Sequence, residues 1–114
     1  MVIEGITADP KTLVGAPVMV GGNADVTMYD KNAVCKSTGY VHVVGVWSLE
    51  GLMTAGKTSV ICKGPILKGQ SVYAQWGGYC SANQQADLKR KTLVGTALHD
   101  CGPGDTIAEC ILKL

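Results

Sequence analysis

One segment of the sequence matches the phosphate-binding loop of nucleotide-binding proteins. Residues 51–58 fit the pattern Gly-x-x-x-x-Gly-Lys-Thr. Such a loop holds phosphates when a helix begins at its Lys-Thr, because the free N–H groups and the dipole of that helix bind the anion. Here the following Val60 and Ile61 are β-branched, and a Gly-Pro pair interrupts the chain shortly afterwards. We therefore predict a strand-to-strand turn at residues 55–57 and no nucleotide site.

A histidine and a cysteine near the C-terminus have the spacing of a reactive pair. In an unbroken strand, His99 and Cys101 would point to one face, where they could form a thiolate–imidazole pair or bind a metal. No third group that would orient or complete such a site can be placed from the sequence, and Cys101 adjoins a Gly-Pro turn. We expect a histidine at a turn beside a structural cysteine, and His42, among valines, as a core or interface histidine. The sequence thus predicts no catalytic residue, no metal site, no cofactor and no enzyme activity.

The cysteines are numerous for a chain of 114 residues, but their spacing does not indicate a metal site or a redox site. Their number, five, is odd, and no Cys-x-x-Cys pair is present to indicate a zinc knuckle or a redox motif. We expect small buried hydrophobic side chains. Their pairing stays open, and assembly is expected not to depend on it. The five are Cys35, Cys62, Cys80, Cys101 and Cys110.

Composition argues against several classes of partner. The formal net charge is +1, which disfavours nucleic acid and anionic lipid as partners. The longest apolar stretch, residues 40–49, is about half of a membrane span, and the first residues lack the features of a signal peptide. Hydrophobic residues make up 46% of the chain and charged residues 17%. Because so few charges cover the surface, we expect apolar area to be buried between chains of an oligomer.

Glycine and β-branched residues spread along the chain predict many short strands joined by tight turns. The expected fold class is all-β: a small β-barrel or β-sandwich of short, mostly antiparallel strands with at most one short helix. Residues 81–90 could be that helix, capped by Ser81, or a loop. In the last strand, Ala108, Cys110 and Leu112 should share one face and Glu109 the other. Strands are predicted at residues 13–20, 24–29 (after a turn at 21–23), 40–49 (central), 58–62, 71–76, 92–99 and 106–112.

The chain divides into an N-terminal arm, residues 1–10, and a single β domain, residues 11–114. Gly5 and the Asp-Pro pair at the end of the arm separate it from the first strand. An extended arm of this kind can add to the sheet edge of a neighbouring subunit. It can equally form an edge strand of its own subunit, and the sequence leaves both alternatives open.

Two short motifs in the second half of the chain are similar to those of a known family. Residues 95–105 read Gly-x-Ala-Leu-x-Asp-x-x-x-Gly-Asp, and residues 69–73 read Gly-x-x-Val-Tyr. Together with Gly45-Val46-Trp47 and the opening segment 18–26, they resemble the head decoration (capsid cement) proteins of tailed bacteriophages. The resemblance implies a compact β-barrel or β-sandwich without catalysis.

The resemblance also implies a place of action and partners. It implies a homotrimer on the outside of an icosahedral capsid in the virion, assembled in the host cytoplasm, whose partners are the major capsid protein and other copies of itself. Neither nucleic acid nor a membrane is expected as a partner. The candidate capsid or subunit contacts are apolar residues of the arm and aromatic residues beside a Gly-Gly turn: Val2, Ile3, Ile6, Trp76 and Tyr79.

Two other classes of function remain open from the sequence. A small β-barrel binding or adaptor module not tied to a capsid would be a monomer. A small enzyme would use His99 and Cys101, or the loop at residues 51–58.

Overall fold

The computed structural model describes residues 1–21, 23–30, 42–84, 92–104 and 107–114, and within these ranges it contains strands and no helix. The strands form two five-stranded sheets, and all strand pairs are antiparallel. The predicted all-β class is therefore confirmed. The strands are β1 (Val2–Ile3), β2 (Pro17–Val20), β3 (Val26–Met28), β4 (Gly45–Ser48), β5 (Gly51–Met53), β6 (Ala55–Ile61), β7 (Ser71–Gln75), β8 (Tyr79–Ser81), β9 (Leu93–Ala97) and β10 (Ile107–Lys113).

The first sheet has the strand order β1-β5-β4-β2-β3. Strand β4 is central, as predicted for residues 40–49, although it is shorter and residues 40 and 41 lie outside the described ranges. The predicted β2–β3 hairpin is confirmed; Gly22 of its turn lies outside the described ranges. Strand β2 begins later than predicted because Gly15 has a φ of +92° and the Ala16 N–H donates to the Leu13 carbonyl oxygen in a turn.

The N-terminal segment contacts the first sheet at both ends of its strand order. Strand β1 pairs with β5. A few residues later, the Val26 N–H donates to the Thr7 carbonyl oxygen at 3.1 Å, and the Asp9 N–H donates to the Val26 carbonyl oxygen at 2.9 Å. The Asp25 carboxylate accepts the backbone N–H and the hydroxyl of Thr7, both at 3.0 Å, and these hydrogen bonds hold its pKa below the ordinary value. Residues 1–9 thus follow the edge-strand alternative and close the first sheet.

The second sheet has the strand order β6-β10-β9-β7-β8, and it also closes. After β6, Cys62 forms a parallel bridge with Cys80 of β8, and the Lys63 N–H donates to the Cys80 carbonyl oxygen at 3.0 Å. Since β6 and β8 are the two ends of the strand order, these contacts join the sheet into a barrel-like ring.

The predicted turn at residues 55–57 is wrong. Thr54 separates β5 from β6, and residues 55–57 belong to β6, where Lys57 lies opposite Ile111 of β10. Gly56 has a φ of +92°, a conformation that glycine adopts without strain, so the chain bends there while its pairing with β10 continues.

Side-chain alternation in the last strand agrees with the sequence. Ala108, Cys110 and Leu112 of β10 are buried, whereas Glu109 faces outward with its exposed neighbours. The buried residues belong to a larger core inside the second sheet, which extends to Tyr29, Val43 and Val46. A smaller core lies in the first sheet and consists of Val18, Val26 and Leu52, with Ile6, Ala8, Val44 and Trp47 packed against it.

The segment that could have been a helix begins as a strand. Ser81 ends β8, and its hydroxyl oxygen accepts the Asn83 N–H at 3.2 Å, but residues 82–84 are not helical. Residues 85–90, which make up most of the remainder of that prediction, lie outside the described ranges, as do residues 105 and 106 of the C-terminal turn.

Candidate interaction surface

Two charged side chains, Lys57 of β6 and Glu109 of β10, form an exposed row with the imidazole of His99. Lys57 Nζ lies 3.2 Å from Glu109 Oε2, and His99 Nε2 lies 3.6 Å from Glu109 Oε1. All three side chains are well exposed to solvent, so each pair contributes little to folding stability. The row instead gives this face a fixed pattern of charge that a partner can match.

Two depressions flank β6 and share Ser59 in their linings. The first has a volume of about 330 Å³, and its lining includes His99, Asp100 and Glu109. The second, of about 290 Å³, is more apolar and is lined by Val14, Ser48, Leu49, Glu50, Met53, Lys57, Thr58 and Ser59. Together they form a shallow surface on both sides of one edge strand.

Strand β6 keeps unpaired backbone groups at its outer edge. In an antiparallel pair, alternate residues point their N–H and C=O groups away from the partner strand. The Ile61 N–H donates to the Gly15 carbonyl oxygen at 2.8 Å, and the Ala55 carbonyl oxygen accepts a hydrogen bond from the Met1 amine, so both face away from β10. Lys57 and Ser59 have the same orientation, and no residue in the described ranges pairs with their backbone N–H and C=O groups. We call these two residues the open edge of β6.

Aliphatic side chains surround the open edge. Leu49 is 91% exposed and Val14 is 49% exposed, and both line the more apolar depression. Ile107 and Ile111, on the outward face of β10, are also exposed. Unpaired strand edges beside exposed aliphatic residues are typical of surfaces that bind another protein chain.

The candidate contact residues from the sequence fall into two groups on different sheets. Val2 is half-buried and Ile3 is 37% exposed, and both lie on β1 at the edge of the first sheet. Ile6 packs against the smaller core of its own chain. The structure therefore brings Val2 and Ile3 together and places Ile6 among internal contacts.

The two aromatic candidates lie at the β7–β8 hairpin of the second sheet. Trp76 packs on Tyr29, with ring centroids 4.8 Å apart. Tyr79 is half-buried, and the Lys63 ammonium lies 4.5 Å from the centroid of its ring. Their rings are therefore in contact with other residues of the chain, and their role at a subunit contact stays a prediction.

The open edge and the charged row were not identified from the sequence. The alternation of apolar and polar residues in β10 predicts that Glu109 faces outward, but no feature of the neighbouring sequence indicates that Lys57 lies beside it. That proximity follows from the register of β6 with β10, which are separated by almost half of the chain.

The residues of the phosphate-loop pattern do not form a phosphate-binding loop. Lys57 and Thr58 lie inside β6 and pair with Ile111 and Cys110 of β10. Their backbone N–H groups are therefore not those of a helix N-terminus, which is what binds a phosphate in such loops.

The imidazole of His99 has Glu109 as its ion-pair partner. Cys101 is buried and His99 is exposed, although both residues line the first depression. His42 is exposed as well, so the core alternative of its prediction is wrong, and the interface alternative stays a prediction. Its neighbour Val43 fills the core position instead. Within the described ranges, no group of three His, Cys, Asp or Glu residues is arranged to hold a metal ion.

The four cysteines of the described ranges are buried in the larger core, as predicted for small hydrophobic side chains, and Cys62, Cys80 and Cys110 are free thiols. Burial, with nearby Cys101 and Cys110, raises the pKa of the Cys62 thiol to about 12. Burial alone raises the pKa of Cys110 to about 11, and it raises that of Cys80 well above its ordinary value, helped by Cys62 and Cys110. Such thiols stay protonated and unreactive at neutral pH. Cys35 lies outside the described ranges.

In the ranges that the structure describes, no helix has the length and apolar character needed to cross a bilayer. No family model, no curated protein and no solved structure matches the chain.

Proposed function

We propose that the protein is a capsid decoration protein, which forms a homotrimer on the outer surface of an icosahedral phage capsid and clamps adjacent major capsid subunits. The proposal combines the resemblance of residues 69–73 and 95–105 to this family with the surface around β6. The observation that carries it is the open edge of β6, since unpaired backbone groups beside exposed aliphatic residues suit binding to other protein chains.

The construction of the two sheets supports a mechanical role. Both sheets close through backbone contacts, and each surrounds a packed apolar core. Backbone contacts that join the two ends of each sheet leave only short open edges in the described ranges, such as that of β6, and a close-packed core transmits strain. A body of this kind can resist the outward pressure of a packed genome without any conformational step of its own.

Trimer formation strengthens the binding of such a protein. One contact between a domain of this size and a capsid subunit can be weak, but three symmetric contacts act together through their effective concentration. Decoration is therefore compatible with a surface that consists of two shallow depressions beside β6.

The test is binding to capsids. The purified chain is mixed with empty shells of the phage that encodes it, and the shells are then separated by sedimentation and heated. We expect the chain to sediment with the shells as a trimer and to raise the temperature at which they break. A chain that stays monomeric and neither sediments with the shells nor protects them would contradict the proposal and favour an adaptor module.

A further inference from the structure

We infer that copies of this chain join head to tail, with the edge of β1 of one copy pairing with the open edge of β6 of the next. The occupant of the groove beside β6 is thus a second copy of the chain. The inference rests on the trimer of the proposed function and specifies its contact.

The donor side of this joint is the outer edge of β1. The Thr54 N–H donates to the Met1 carbonyl oxygen at 2.9 Å, so Met1 and Ile3 point their backbone groups toward β5. Val2, between them, points its N–H and C=O away from β5, and no residue in the described part of the chain pairs with these groups. The edge is therefore ready to extend a sheet.

The acceptor side is the open edge of β6, which is bounded at both ends. Met1 contacts Ala55 at one end, and Gly15 contacts Ile61 at the other. Gly56 bends the strand beside the first contact, and the Ser59 carbonyl oxygen lies next to Gly15, so the accessible groups between the two contacts are the Lys57 N–H and C=O and the Ser59 N–H. This gap suits a very short strand, and β1 has two residues.

Apolar surface is present on both sides of the joint. Met1 is 66% exposed, and Ile3, on the donor strand, is exposed as well. The acceptor groove presents Leu49 and Val14. Pairing the two edges would bury aliphatic side chains on both copies, and the sheet would run continuously from β5 and β1 of one copy to β6 and β10 of the next.

The two edges belong to different strands. In the trimer of the proposed function, such heterologous contacts form a closed ring in which every copy uses both its β1 edge and its β6 edge. Two copies that exchange the same contact reciprocally would instead form a two-fold dimer, so a wild type found only as a dimer would overturn the ring. Pairing of β6 with β6 would also give a two-fold dimer and leave β1 unpaired.

Proline substitutions test each side of the joint separately. Because the N–H groups of Ser59 and Val2 point away from their own sheets, Ser59→Pro and Val2→Pro remove a donor at the joint without removing a hydrogen bond inside the subunit. Ser59→Thr and Val2→Thr are the matched controls. The oligomeric state is measured by sedimentation velocity, and circular dichroism confirms folding.

We expect trimers for the wild type and both threonine variants, and monomers for each proline variant alone. An equal mixture of the two proline variants should form a dimer and nothing larger. In that mixture, Ser59→Pro keeps an intact β1 edge and Val2→Pro keeps an intact β6 edge, so only one kind of contact can form. Trimers that persist in both proline variants, or dimers in Val2→Pro alone, would overturn the inference.

Amide hydrogen exchange of the wild type provides a second test that needs no variant. The Val2, Lys57 and Ser59 amides should exchange slowly in the oligomer and rapidly in dilute monomer, and equal exchange in both states would overturn the inference.

The binding of the wild type to shells is a separate measurement. A trimer that binds shells but ignores both prolines would contradict the edge pairing alone, and a paired trimer that never binds shells would contradict the decoration function alone.

Discussion

The buried thiols make the stability of this protein sensitive to alkaline pH. In the unfolded chain a cysteine ionises near its ordinary pKa of 9.0, whereas the folded state raises this pKa to about 12 for Cys62 and about 11 for Cys110. Between these values the folded state binds protons that the unfolded state has lost, so the free energy of unfolding falls as pH rises. Below about pH 8 both states hold the protons, and the thiols contribute no pH dependence.

We therefore predict that ionisation of these thiols leaves the free energy of unfolding unchanged from pH 7 to about 8 and lowers it progressively from about pH 9 to 12. Urea unfolding in reducing buffer at each pH measures this dependence. Cys110→Ala removes one titrating thiol and should make the alkaline decline less steep. A decline of equal steepness in Cys110→Ala would contradict the assignment of the decline to Cys110.

Among the elements, strands β9 and β10 leave no room for a side chain at Gly95. A Cβ atom at this position would collide with the Ile111 carbonyl group of β10, which the sheet holds in place. We predict that Gly95→Ala lowers the free energy of unfolding by about 1–3 kcal/mol, the usual cost of overpacking. Gly104→Ala is the control, because a Cβ there meets nothing within 4 Å. Equal melting temperatures for the two variants would contradict this packing.

The N-terminal segment is expected to stabilise the first sheet. Ile6 packs against the smaller core, whereas Ile3 is partly exposed at the sheet edge. We predict that Ile6→Ala costs about 1–2 kcal/mol and Ile3→Ala less, because Ile6 packs against buried side chains and Ile3 does not. Deletion of residues 2–9 should destabilise the isolated subunit further. A deletion that leaves stability unchanged but abolishes capsid binding would instead identify the segment as a capsid clamp.

The local features of the strands could be predicted from the sequence, and their partners could not. The alternation of Ala108, Cys110 and Leu112 has a period of two residues, which is visible in the chain itself. The pairing of β6 with β10, and the closure of each sheet by short bridges, depend on contacts between distant residues. The prediction of a turn at residues 55–57 was wrong for this reason, because pairing with β10 keeps that segment in a strand despite Gly56.

For the whole molecule, the central question is whether its exposed aliphatic surface is buried in an assembly. Leu49, at 91% exposure, and Val20, at 69%, are aliphatic residues of similar size, but only Leu49 lines the groove beside the open edge of β6. We predict that Leu49→Asp weakens trimer formation, because it places a charge in an apolar contact, and that Val20→Asp does not. Light scattering over a range of concentrations measures the difference. Equal effects of the two substitutions would show that general solubility, and not this groove, controls assembly.

The most direct test of the proposed function is electron cryomicroscopy of phage capsids mixed with the purified chain. We predict threefold clusters of density on the outer surface of the capsid, each fitted by three copies of the chain, with β1 of one copy beside β6 of the next and with contacts to neighbouring major capsid subunits. A particle without such density, or one whose density is fitted by isolated monomers, would contradict this prediction.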